Sequence, residues 1–264
     1  MGVSQAFKLF AEEWLKRYLY DQPHGPANAL GVATALDLPV QQGGGGVAAF
    51  GSVVDYMDSG DEQLLDVLHY TVLVIERGDV TFRPPSPWEV LERHLAFAGS
   101  VWSATEHGLV NRAEQTAVDA MTTATRPADK ASAHLVEAWR KAYDRDGDPS
   151  DAWDHAIKAV EEILLPIVIP AQDQAKIGQV LGELGSKGQQ WDVGLQFNAD
   201  APPRTPPVEP VEALVGMLRL LYPNPDRHSG ASHRSPTAEE ARVVVQLAVS
   251  VVQWAREGII SKRT

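Results

Sequence analysis

No cysteine occurs among the 264 residues of the chain. That absence removes disulfides, thiolate nucleophiles and cysteine metal sites together, and it fits a reducing cytoplasmic setting, which is the expected localisation. Long apolar runs are missing as well. Nowhere do about 18 uncharged apolar residues follow one another, and Glu12 and Glu13 interrupt the first apolar segment, so neither a membrane span nor a signal peptide is expected. Positive charge is scarce, with 23 Lys and Arg against 35 Asp and Glu and a net charge of −12. Broad electrostatic binding of nucleic acid, which needs clustered cations, is therefore disfavoured. No Gly-x-Ser-x-Gly nucleophile elbow is present. The run Gly43, Gly44, Gly45, Gly46 lacks the Lys and Ser/Thr of a phosphate-binding loop and reads as a plain flexible loop.

Hydrophobic residues make up 44% of the chain, enough for a packed core, and the length favours two domains. The acidity is uneven. Residues 1–126 carry 8 basic and 16 acidic side chains, whereas 127–264 carry 15 and 19. The division is drawn there, 1–126 and 127–264, and the second part repels polyanions less. Within it, residues 227–235 hold two Arg, two His and no acid.

Apolar spacing and capping residues predict a mainly α protein. In the first part, helices are expected over residues 5–19 and briefly over 29–36. A third follows the Ser59/Glu62 pair, and a fourth opens at Ser86, Pro87 and Glu89 in the order of cap, first-turn proline and reciprocal acid. Residues 100–112 suit a small β-hairpin around Glu106, His107 and Gly108. In the second part, helices are expected over 112–125, 130–143, 151–165 (halted by Pro166), 172–184, 211–222 and 237–255, the last begun by Thr237 and Glu240. Residues 200–210, with five prolines, read as an extended loop. The four helices after residue 150 each carry one apolar stripe and are expected to pack as a bundle.

Residues 144–148 have some features of a calcium loop, but Gly147 stands one place early and His155 occupies the position of the bidentate glutamate. The plainer reading is a turn in which Asp148 caps a helix begun by Pro149. His69, His94, His134 and His155 each stand alone on an expected helix, without the two-histidine helical spacing of a zinc site, and are read as packed or surface residues. No cofactor and no metal is expected.

One segment holds a chemical pattern: Asn224, Pro225, Asp226, Arg227, His228, Ser229, Gly230, Ala231, Ser232, His233, Arg234. Histidine exchanges protons near neutral pH, and arginine keeps its charge and matches phosphate oxygens with a planar fork. Arg227 followed by a polar His228, with His233 six positions on, resembles the signature of the HEPN ribonuclease-like superfamily. The flanks Ala156, Ile157, Ala159, Val160 and Glu161, then Ile177, Gly178 and Leu181, and then Glu240, Ala241 and Arg242 resemble the C-terminal domain of abortive-infection proteins. The likeness spans about residues 130–258.

It implies that the four-helix bundle is HEPN-like; the mostly helical N-terminal domain with its small hairpin, read from spacing and capping above, precedes it. It also implies a metal-independent endoribonuclease of an anti-phage or toxin–antitoxin type, leaving 2′,3′-cyclic phosphate and 5′-hydroxyl ends. Arg227, His233 and His228 are the candidate catalytic residues, and Arg234, Ser229 and Ser232 the candidate RNA contacts. The implied partners are RNA, a second copy of the chain paired through the bundle, and an antitoxin or phage-derived trigger, with no membrane. Two other readings stay open. One is a catalytically inactive dimeric module that binds a nucleotide or a protein; the other is an ordinary polar loop in which Arg227 caps the carbonyls ending at Tyr222 or pairs with Asp226.

Overall fold

The computed structural model describes residues 4–76, 84–170, 175–194, 209–227 and 234–263. The chain is mainly helical and divides into two compact units, residues 1–112 and 113–264. The expected loop at 200–210 lies almost wholly outside the described residues.

The first unit opens with α1 (Gln5–Lys16), whose first turn is capped by the Ser4 hydroxyl accepting from the Phe7 amide. It runs on into a π-helical turn at Arg17–Asp21 that buries Tyr18 and Leu19. α2 (Gly25–Ala35) starts at a Gly-Pro pair, earlier than the short turn expected. α3 (Gly45–Met57) was not expected at all: the glycine run is partly helix, not wholly loop. Ala49, Val53 and Met57 fall every fourth residue on its buried face. Gly46 makes this possible, because a Cβ there would run into the Pro26 carbonyl oxygen at the start of α2.

α4 (Asp61–Glu76) begins after Gly60, and Ser59 does not open it as expected. The Ser59 hydroxyl turns back to donate to the Tyr56 carbonyl at the end of α3, 2.6 Å away. α5 (Pro87–Phe97) begins at the expected capping box of Ser86 and Glu89. The hairpin is also present, with β1 (Trp102–Thr105) antiparallel to β2 (Gly108–Asn111). His69 of α4 is buried, its Nδ1 accepting from the Leu109 amide at 2.9 Å. Gly108 sits at φ 96 against that imidazole, where a Cβ would strike the ring. Phe7, Trp14, Leu19, Leu68, Leu91 and Leu109 form the centre of this unit's core.

The second unit contains α6 (Gln115–Ala124), α7 (Lys130–Tyr143), α8 (Pro149–Val168), α9 (Ile177–Ser186), α10 (Pro210–Leu221) and α11 (Ala238–Arg256). The division falls one helix earlier than residue 126, because Met121 and Ala124 of α6 enter the second core. There, Gln253 donates to the Ala120 carbonyl at 2.8 Å and Arg256 holds the Ala124 carbonyl. α7, α8 and α11 pack on one another, α9 lies on α8 and α10, and α10 touches α11. Leu135, Leu164, Ile177, Leu214, Leu218 and Val245 are fully buried between them.

α8 does not stop before Pro166 but continues to Val168. A helical proline removes one amide donor, and the burial of Leu164 and Val168 holds the last turn in place. A second, unexpected strand pair joins β3 (Trp191–Val193) to β4 (Ile260–Lys262). Among the described residues no helix is long and apolar enough to cross a membrane.

Candidate functional site

The start of α8 is built as expected from Asp148 and Pro149: one Asp148 oxygen accepts from the amides of Ser150 and Asp151, each at 3.0 Å. One turn of this helix then presents Ser150, Trp153 and Asp154 to the chain leaving α10. The Trp153 indole donates to the Leu221 carbonyl at 2.6 Å, satisfying an acceptor that the end of α10 would leave bare.

Three residues later Asn224 is 1% exposed. Its amide nitrogen donates to the Ser150 carbonyl at 3.0 Å and to Asp154 Oδ1 at 2.8 Å. Its oxygen accepts from the Asp226 amide at 3.0 Å, a local turn typical of asparagine. Asp226 accepts from the Ser150 hydroxyl at 2.6 Å. The 3-10 turn Pro225–Arg227 is thereby fixed, and its last residue pairs its guanidinium with Asp154 Oδ2.

Asp154 is thus a carboxylate whose side chain is 9% exposed, with one oxygen held by Asn224 and the other by Arg227. A buried charge is tolerable only when paired and hydrogen-bonded in this way. The Arg227 side chain is 66% exposed. Among the described residues, Asp154 engages one of its two amino groups. The carboxylate that anchors Arg227 comes from another helix, α8.

His228, Ser229, Ser232 and His233 lie outside the described residues. Arg234, the candidate RNA contact, is paired through both amino groups with Glu240, at 2.6 and 2.7 Å. Glu240 is also the reciprocal acid of the α11 capping box, accepting from the Thr237 amide at 2.9 Å while its own amide donates to the Thr237 hydroxyl at 3.2 Å. The Arg234 side-chain bonds, then the Thr237 amide, hold the Glu240 carboxyl down to about 2. In this arrangement Arg234 stabilises a helix start.

Sequence reasoning missed a second group. His134 of α7 and His155 of α8, read as solitary, face each other with Nδ1 atoms 3.1 Å apart. Burial, then each imidazole's charged neighbours, pushes both below the ordinary imidazole range. No signal along the chain marks them, because the two come from different helices. Among the described residues, those of the acidic segment 144–148 included, no group of three or more His, Asp or Glu side chains gathers as metal ligands. A cavity of about 840 Å³ lies between α9 and α10, lined by Lys187, Glu212, Arg219 and Arg263 among others, and is separate from the Arg227 cluster.

No family model, no curated protein and no solved structure matches the chain.

Proposed function

We propose that the second unit is a HEPN-like bundle, with α8 to α11 as its four helices, and that it is a metal-independent endoribonuclease acting in anti-phage or toxin-like defence. In the proposed reaction the 2′-oxygen of a ribose attacks the adjacent phosphorus and the bond to the 5′-oxygen breaks. His233 takes the 2′-hydroxyl proton, a second histidine such as His228 or its counterpart in a paired copy protonates the leaving oxygen, and Arg227 faces the charge gathering on the phosphorane. The products are a 2′,3′-cyclic phosphate and a 5′-hydroxyl. The N-terminal portion, expected as 1–126, would sense or restrain, answering to an antitoxin or a phage component.

One observation carries the reading. A guanidinium mostly open to solvent is nevertheless tethered by a buried carboxylate that a buried asparagine holds in turn. Exposed arginines need no such support, and positioned cations of catalytic sites do. The net charge of −12 fits weak RNA affinity, which a nuclease kept quiet until triggered tolerates.

The same pair favours a second reading, a non-catalytic dimeric module, because Asp154 offsets part of the arginine's charge. Full-length protein incubated with structured RNA in EDTA separates the two. Cyclic-phosphate ends that vanish in Arg227→Ala and His233→Ala support the nuclease. Cleavage patterns identical in wild type and both variants, or no cleavage by any, remove it.

A further inference from the structure

The second unit holds a pair of ligating side chains that the nuclease reading leaves idle. We propose that His134 and His155 form a two-histidine chelate for a first-row divalent cation of the zinc class, which binds through the facing Nδ1 atoms, with water completing its shell.

Two helices from separate stretches of chain bring the Nδ1 atoms to 3.1 Å. Zinc–imidazole bonds of about 2.0–2.1 Å place two nitrogens on one ion roughly 3.1–3.4 Å apart at near-tetrahedral angles. The two nitrogens thus already stand at the separation that a shared ion requires. The ring centroids are 5.2 Å apart and the planes tilted by 53°, so the imidazoles meet by their nitrogen edges instead of stacking. The outer nitrogen of His155 stands 3.7 Å from Asp151 Oδ1. At that distance the carboxylate acts on the ring through its charge and not through a hydrogen bond.

The proton balance is simple. In the metal-free pair one Nδ1 donates its proton to the other; when the ion binds, that proton passes through water to Nε2 of its own ring, so both neutral rings give an Nδ1 lone pair to the metal and no net proton is released. The surrounding charges are mixed: Lys130, Lys158 and Lys141 face the pair, as do Glu137, Glu162 and Asp151, and Lys141 is itself bound to Asp151 at 3.0 Å. A dication therefore does not meet a uniformly positive wall. Imidazole donors favour zinc, copper and nickel over magnesium or calcium. With two protein ligands the ion keeps open positions, and the side chain of His155 is 19% exposed, so water reaches it.

The test uses the full chain stripped with EDTA and titrated calorimetrically with Zn²⁺ near neutral pH. One ion per chain is expected, with affinity reduced more than about tenfold in His134→Gln and in His155→Gln, and retained in the double variant His228→Ala/His233→Ala. Absence of saturable binding, or binding that survives both glutamine substitutions, overturns the proposal. If a glutamine variant loses its helical circular dichroism, the wild type decides. Zn²⁺ protection of both imidazoles from diethyl pyrocarbonate, read by peptide mass mapping, supports the site; unprotected rings sink it. Because RNA cleavage is assayed in EDTA, either idea can fail without the other.

Discussion

Asp154, on the second turn of α8, and Arg227, at the end of the turn that follows α10, are joined as an ion pair in which the acid is buried and the base is open to solvent. That asymmetry makes the carboxylate the anchor of the pair and, on the proposed nuclease reading, leaves the guanidinium to meet the substrate. Replacing Arg227 by Ala is expected to lower RNA cleavage by about 10²–10³-fold, the usual cost of losing one positioned charge stabiliser, while Arg227→Lys recovers only part of it. Gel assays with a single-turnover excess of protein measure both. Unchanged rates in the alanine variant would remove Arg227 from the chemistry.

Asn224 holds the same corner together from inside. Its substitution by Ala leaves the Ser150 carbonyl, one Asp154 oxygen and the Asp226 amide without their partner. A loss of about 1–3 kcal/mol is expected from unsatisfied buried groups of this kind. Urea denaturation should show a lower midpoint with the slope preserved; a midpoint equal to wild type contradicts the bonding described.

Two glycines of α3 make opposite predictions. At Gly46 a methyl group meets the Pro26 carbonyl, whereas at Gly51 it meets open space. Gly46→Ala is expected to destabilise the first unit by about 1–3 kcal/mol, as overpacking does. Gly51→Ala is expected to stabilise it by up to about 1 kcal/mol through helix propensity. Thermal melts of the two variants should shift in opposite directions.

Glu240 gives a pH-dependent signature. Its carboxyl sits at about 2 in the folded chain, below the ordinary value of 4.5. Its contribution is therefore complete above the ordinary value and disappears as pH falls from there toward 2. Wild type should melt above Glu240→Gln at neutral pH, and the gap should close across that acidic window. A gap independent of pH would mean that the Arg234 and Thr237 contacts do not depend on the charge.

What was legible in the chain was local. Ser86, Pro87 and Glu89, Asp148 and Pro149, and Thr237 and Glu240 announce their helices because capping chemistry acts within one turn. The turn around Gly108 similarly marks its hairpin. What escaped is set by contacts distant in sequence. α3 was hidden by its glycines, whose helical state depends on close approach to Pro26. Trp191–Val193 and Ile260–Lys262 are too short to read as strands until they pair. Arg227 was picked out by its spacing to a histidine, but its partner Asp154 carries no mark along the chain. The meeting of His134 with His155 is equally a product of packing.

Ser150 and Asp154 point toward the turn after α10, and Asp151 and His155 toward α7, all within six consecutive residues of one helix. Adding or deleting a single residue among them would rotate everything beyond it by about 100°. The segment thus works like a key cut on two edges: exposed positions accept new side chains, but a frame slip of one residue misaligns both edges at a stroke.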